Sequence, residues 1–255
     1  MPHGWIAAPK TTSQISDSVR ALGGAGFNTQ LHNLGSLDAA GGMPAEQFSG
    51  LSAWVATSRS VDPGQRIIAW ISGSESLHVD RPSTYDSIAG VVARLVEEFG
   101  VDGVLLDLEP FSADNPNLLS LLDRVRTRSP HAWVGVDAPA DGWSPTFITS
   151  IGSLVDAVSP MLYDTRLGDP VAYAGLARAS IDRYARALTG STLLVPSLPA
   201  YAASPFHDPS VENIATAVRG IQDAARSGSY IDGGAVYWWW EMTAEDHAAW
   251  QAAIG

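Results

Sequence analysis

The apolar positions of this chain form short runs separated by amphipathic stretches, and the alternation repeats from end to end. Eight runs read as strands: Trp5 to Ala8, Phe27 to His32, Arg66 to Ser72, Gly103 to Leu108, Trp133 to Asp137, Ala157 to Tyr163, Leu193 to Leu198 and Ala235 to Trp239. Most are nearly continuous in apolar residues, the pattern of parallel strands buried on both faces. A helical pattern follows each. After the third run Ile88, Val91, Val92, Leu95 and Phe99 recur at spacings of three and four, with Arg94 and Glu97 on the opposite face. Leu118, Leu121, Leu122 and Val125 repeat this stripe after the fourth, and Val211, Ile214, Val218 and Ile221 after the seventh.

Eight βα units in 255 residues predict an α/β fold, a (β/α)8 TIM barrel forming a single domain over residues 1–255. The rival is an open doubly wound sheet, which needs fewer strands and usually a glycine-rich first loop. Gly23-Gly24-Ala25-Gly26 precedes the second strand without dinucleotide spacing and reads as a helix end. The segment Ser204 to Pro209 contains two prolines and reads as the loop after the seventh strand. No composition break or charged linker marks a second domain.

Composition narrows the partners. Hydrophobic residues make up 45% of the chain, enough for a continuous core, and 15 basic against 27 acidic residues give a net charge of −12. No run of Lys or Arg can track a phosphate backbone, so nucleic acid is not an expected partner. Apolar segments are all under about 10 residues, which argues against a membrane partner, and Met1-Pro2-His3-Gly4 lacks the start of a signal peptide. The absence of cysteine removes disulfides and thiolate metal sites. An extracellular protein whose leader is absent from this chain is the expectation, with the cytoplasm as the alternative. A monomer is expected. Nine tryptophans and seven tyrosines suit carbohydrate faces as well as cores.

In barrels the functional groups sit where strands end. Those positions hold His32 and Asn33, Ser72, Asp107 and Glu109, Asp137, Tyr163 and Asp164, Tyr201, and Trp238, Trp240 and Glu241. Acids and flat rings without a basic cluster favour a neutral polar ligand such as an oligosaccharide or polysaccharide over a phosphate. Asp107 and Glu109 stand two apart at the end of an apolar strand, on one face and about 6–7 Å apart along the chain. Close carboxylates resist ionising together, which raises one pKa and supplies a proton donor near neutral pH. No cofactor or metal is expected: the six histidines are scattered. A serine nucleophile elbow fails as well, because Gly50-Leu51-Ser52-Ala53-Trp54 departs from the motif at its last position.

Asp102-Gly103 followed by Asp107-Leu108-Glu109 resembles the Asp-Gly-x-Asp-x-Asp-x-Glu signature of glycoside hydrolase family 18, the chitinase-like enzymes. Met161-Leu162-Tyr163-Asp164 is similar to that family's Met-x-Tyr-Asp. Leu198-Pro199-Ala200-Tyr201 resembles its Ile-Pro-Phe-Tyr, and Gly233-Gly234-Ala235-Val236-Tyr237-Trp238 its Gly-Gly-x-Met-x-Trp. The resemblance implies a retaining, substrate-assisted glycosidase acting on a β-linked glycan that contains N-acetylhexosamine. It assigns Glu109 as general acid/base, Asp107 and Tyr163 as supports of the substrate's 2-acetamido group, and Trp238 as the floor under the sugar. Asp164 and Glu241 are then expected to bind hydroxyls or tune the acid, with Trp240, Tyr201, Asp137, Trp70 and His32 as further substrate-binding residues. Trp239, on the opposite face from Trp238 and Trp240, is expected to be buried.

The departures from the family point to a distant member. Leu105 stands where the family has the first Asp of Asp-x-Asp-x-Glu, an acid that normally shares a proton with the one at Asp107. Trp70-Ile71-Ser72-Gly73 replaces Ser-x-Gly-Gly and adds bulk inside the barrel, and Leu108 replaces a usual Trp. The seventh strand ends Ser197-Leu198-Pro199-Ala200-Tyr201, with no carboxylate where barrel glycosidases usually keep a protein nucleophile. Two alternatives stay open. One is a chitinase-like lectin that binds without cleaving. The other is a glycosidase on a sugar lacking an acetamido group, with Asp137, Asp164 or Glu241 as nucleophile.

Overall fold

Prolines and their neighbours set where helices begin. Pro82, Pro116, Pro145 and Pro170 each occupy the first turn of a helix, where a missing N–H costs nothing and the ring pre-sets φ. The side chains of Asn115, Ser144 and Asp169 cap the last three of these helices by accepting from a backbone N–H in the first turn. The computed structural model describes residues 11–73, 77–109, 114–201, 205–237 and 241–254. The predicted strand Trp5 to Ala8 lies outside them, as do Trp238, Trp239 and Trp240, so the second predicted strand is β1 here.

Packing divides the chain into two compact units, with the boundary between Val136 and Asp137. The first holds α1 (Thr12–Gly24), β1 (Thr29–Ser36), α2 (Leu51–Val61), β2 (Arg66–Ser72), α3 (Pro82–Phe99), β3 (Gly103–Asp107), α4 (Pro116–Arg128) and the start of β4 (Trp133–Pro139). Strands β1 to β4 pair in chain order and all run parallel. Gly23-Gly24-Ala25-Gly26 is the helix end that its composition predicts: α1 stops at Gly24 and Gly26 turns the chain at φ 87°.

One face of this sheet meets the helices. Ile67, Ala69, Ile71, Val104, Leu106 and Val134 are fully buried, as are Ile88, Val92 and Leu95 on α3 and Leu118, Leu121, Leu122 and Val125 on α4. Each such side chain contributes about 1.5–3 kcal/mol on leaving water. The other face is stepped by the register: Leu31, Ile68, Gly103 and Trp133 lie side by side, then Asn33, Trp70, Leu105 and Gly135, then Ser72 and Asp107.

The second unit holds α5 (Pro145–Gly152), β5 (Ala157–Met161), α6 (Pro170–Ala187), β6 (Leu193–Leu194), β7 (Ser197–Pro199), α7 (Ile214–Arg226), β8 (Ala235–Tyr237) and α8 (Ala244–Ile254). The single strand predicted over Leu193 to Leu198 is two pieces, both parallel to β5. Pro196 explains the break, since it has no N–H to give the ladder. Strand β8 pairs with β7. Helices α6 and α7 approach so closely that a Cβ on Gly220 would stand 2.2 Å from the Ala174 carbonyl oxygen.

Gly103 has a similar constraint, because a Cβ there would lie 1.9 Å from the carbonyl oxygen of Trp133. Only backbone movement can relieve that clash. Gly103→Ala is therefore expected to cost about 3 kcal/mol, read as a lower urea midpoint; an unchanged midpoint would show that β3 and β4 separate easily.

Candidate active site

The end of β3 is positioned from its beginning. Asp102 accepts from Arg59 of α2 at 2.7 Å through Oδ1 and from the backbone N–H of Ile67 at 2.7 Å through Oδ2. Its own N–H donates to the Ile67 carbonyl at 2.8 Å, and its carbonyl accepts from the Trp133 N–H at 3.0 Å. One residue thus ties α2, β2, β3 and β4 together. Parallel strands paired in this register put Ser72 opposite Asp107, and Gly73 N–H donates to the Asp107 carbonyl at 2.6 Å.

The Asp107 carboxyl is gripped on one side. Oδ2 accepts from the indole N–H of Trp70 at 3.2 Å and from the Ser72 hydroxyl at 3.4 Å. Oδ1 is closed off from solvent and has no hydrogen-bond partner among the described residues. Burial, and after it the charge of Glu109, raises the Asp107 pKa from an ordinary 3.8 to about 7. The Trp70 and Ser72 bonds act in the opposite direction and do not offset it. Glu109 itself is exposed, two positions past the buried carboxyl and just beyond the strand. A carboxyl with a raised pKa and an exposed acid therefore stand together at the C-terminal end of β3.

Trp70 and Leu105 line the same face beneath Asp107, and both are buried. Gly135 makes room for Leu105 and the Trp133 ring, since a Cβ there would meet Leu105 Cδ1 at 3.0 Å and the Trp133 ring at 2.7 Å. On β1 the polar group of that face is Asn33, whose Oδ1 accepts from Gly35 N–H at 2.7 Å. His32 points the other way. It stacks on Trp54 of α2 with ring centroids 4.5 Å apart, and the Trp54 N–H donates to the neighbouring Gln30 at 2.9 Å. The structure thus places His32 on the helix-facing side of β1.

The second unit gathers its own cluster after β5. Tyr163 stacks on Tyr237 at 5.1 Å, and Tyr201 meets both rings edge-on at 6.1 Å and 5.2 Å. The Tyr201 hydroxyl donates to Asp164 at 2.5 Å; burial, then that carboxylate, pushes its pKa up. Asp164 and Arg166 both have left-handed backbone, φ 54° and 59°, a conformation costing roughly 1–2 kcal/mol for each non-glycine residue. Buried Glu212 holds this turn by accepting from Thr165 Oγ1 at 2.7 Å and from its N–H at 3.1 Å. His207 Nδ1 lies 3.3 Å from the same carboxylate and stacks on Tyr201 at 4.0 Å. Burial works to raise the Glu212 pKa, but the bonds from His207 and Thr165 outweigh it and hold the carboxyl below its usual range.

Of the other predicted residues, Asp137 is buried on β4 and Glu241 is half-buried before α8, while Trp238 and Trp240 lie outside the described residues. Sequence reasoning missed Glu212, His207 and Thr165. Glu212 and Thr165 are 47 positions apart, and no spacing rule links them. Among the described residues no three His, Cys, Asp or Glu side chains are grouped to hold a metal, and no helix is long and apolar enough to cross a membrane.

No family model matches the sequence, and no curated protein matches it. Solved structures do. A class V chitinase mutant from Cycas revoluta in complex with (GlcNAc)3 superposes with a TM-score of 0.70 at 13% identity, covering 100% of this chain and 98% of that one. A chitinase from Chromobacterium violaceum gives 0.69 at 12%, covering 97% of each chain. The fold is that of the chitinase-like (β/α)8 barrels. A chitinase-like agglutinin from Robinia pseudoacacia has it too, with a TM-score of 0.69 at 14% identity over 94% of this chain and 96% of its own. In a chitinase-like barrel the C-terminal strand ends form the functional face, and the end of β3 is where Asp107 and Glu109 stand.

The raised Asp107 pKa fixes a sign for stability. Between pH 3.8 and about 7 the folded state keeps a proton that the unfolded state releases, so this group's contribution falls as pH rises through that window. Asp107→Asn is expected to be about 2 kcal/mol more stable than the parent near pH 8, with the gap closing toward pH 4. Urea denaturation at both pH values measures it, and a gap that widens on acidification would contradict the assignment.

Proposed function

We propose that this protein is a glycoside hydrolase that cleaves a β-linked glycan containing N-acetylhexosamine, with retention and with the substrate's acetamido group as nucleophile. The observation that carries the reading is the pair at the end of β3: a buried carboxyl with its pKa pushed up to about 7, two positions from the exposed acid Glu109. Adjacent carboxyls that resist joint ionisation keep a proton available at neutral pH. The chitinase-like fold and the order of the four motifs support the same class.

In this mechanism Glu109 gives its proton to the leaving glycosidic oxygen as that oxygen departs from the anomeric carbon. The acetamido carbonyl oxygen forms the new bond to that carbon from the opposite side. Asp107, left ionised because the one proton that the pair shares has passed to Glu109, holds the acetamido N–H and balances the positive charge that grows on it, and Tyr163 donates its hydroxyl to the acetamido carbonyl. Water then attacks the anomeric carbon, Glu109 takes its proton, and the ring opens back to the acetamide with configuration retained. By resemblance to the family, Asp164, Tyr201, Asp137, Glu241, Trp70, Trp238 and Trp240 are the further substrate-binding residues of this reading. The enzyme works as a monomer outside the cell.

One observation favours a second reading. The Robinia agglutinin has this fold with a TM-score equal to that of the Chromobacterium chitinase, so a glycan-binding protein without turnover fits the architecture as well. The presence of Glu109 weighs for the enzyme. Glu109→Gln is expected to lower turnover of chito-oligosaccharides by about 10²–10⁴-fold while leaving their binding within a few-fold by calorimetry. An active parent whose rate is untouched by the substitution would overturn the assignment; a parent that binds the same panel with no release of reducing sugar would establish the lectin.

A further inference from the structure

Asp107 has donors on one oxygen and nothing on the other. Both donors come from β2, Ser72 directly in register and Trp70 from the layer below. An indole N–H can donate but cannot accept, so it serves Oδ2 in either ionisation state and never competes for the proton. Leu105, beside Trp70 in the register, brings no polar atom to that layer. Asn33, on Trp70's other side, spends its side-chain oxygen on Gly35. The acid that the family signature leads one to expect at Leu105 is thus replaced, from the neighbouring strand, by a donor that cannot take Asp107's proton.

We propose that Trp70 is a positioning residue of the active site, whose indole N–H fixes the Asp107 carboxyl in one orientation and directs its proton to Oδ1. The role in turnover rests on the glycosidase reading, whereas the contact and its electrostatic consequence do not. Three features fit this assignment together. Trp70 is buried and so cannot swing away freely. Leu105, its neighbour on β3, is accommodated by Gly135, where a Cβ would meet Leu105 Cδ1 at 3.0 Å. Oδ1 is closed off and has no hydrogen-bond partner among the described residues, which leaves it as the carboxyl atom to carry the proton. Glu109 is the titratable group that acts on this carboxyl among the described residues. Asp107 in this chain accordingly works from a fixed position.

The test separates the contact from the reaction. In ¹⁵N-tryptophan-labelled protein, the Trp70 indole N–H resonance is expected to move with a single midpoint near that of Asp107, and to stop moving between about pH 5 and 9 in Asp107→Asn. A resonance that is flat in the parent would overturn the proposal whether or not the protein is an enzyme. Trp70→Phe keeps the ring and deletes the donor. It is expected to shift the Asp107 limb of the pH–rate profile upward by about one unit and to lower kcat about tenfold with KM within threefold. A variant that loses stability but keeps the parent's limb and kcat would reduce Trp70 to packing. If the parent proves inactive on glycans, the indole titration alone decides the contact and the glycosidase reading fails separately. If Trp70→Phe does not fold, the comparison of parent with Asp107→Asn still decides it.

Discussion

The alignment of β2 with β3 is the constraint on which the candidate site depends. A shift of one residue would send Asp107 to the helix-facing side, because strand side chains alternate. Asp102 prevents the shift by holding Arg59 and the Ile67 N–H with its carboxylate while its backbone bonds to β2 and β4. Gly103 adds a steric lock, since its α-carbon passes against the Trp133 carbonyl with no room for a side chain. The Asp102-Gly103 pair is therefore an anchor, and the carboxyl pair of the candidate site stands at the other end of the strand.

From that register follows a buried carboxyl with partners on a single edge. Two hydrogen bonds from neutral donors do not offset the loss of water, so Asp107 is held well above its ordinary pKa. Repulsion from Glu109 adds to this but ranks second. The paired acids predict a raised pKa from their spacing; the structure assigns the larger share to burial, which spacing does not report. The second unit handles an acid in the opposite way. Glu212 is also buried, but it has a full set of donors, lies below its usual range, and holds the strained turn that carries Asp164.

How much of this was legible in the sequence depends on range. Helices α3 and α4 announce themselves through apolar stripes, and β2 begins and ends as its apolar run predicts. The solved chitinase-like structures bear out the (β/α)8 class that the repeating units predict. The seventh predicted strand breaks because one proline interrupts its ladder. Asp107 and Glu109 stand two positions apart at the end of β3, where the apolar run places them. His32 lies on the helix-facing side of β1, because it pairs in register with Ala69 and strand side chains alternate, and there its ring meets Trp54. Contacts such as Glu212 with Thr165 join distant segments through shape alone, and periodicity carries no trace of them.

Everything proposed for the site turns on Asp107 carrying a proton near neutral pH because it is buried beside Glu109. Carboxyl ¹³C titration of the parent protein, with the Asp107 signal assigned by its loss in Asp107→Asn, tests this directly. A midpoint close to 7 is expected. A midpoint near 4, the value of a solvated aspartate, would contradict it.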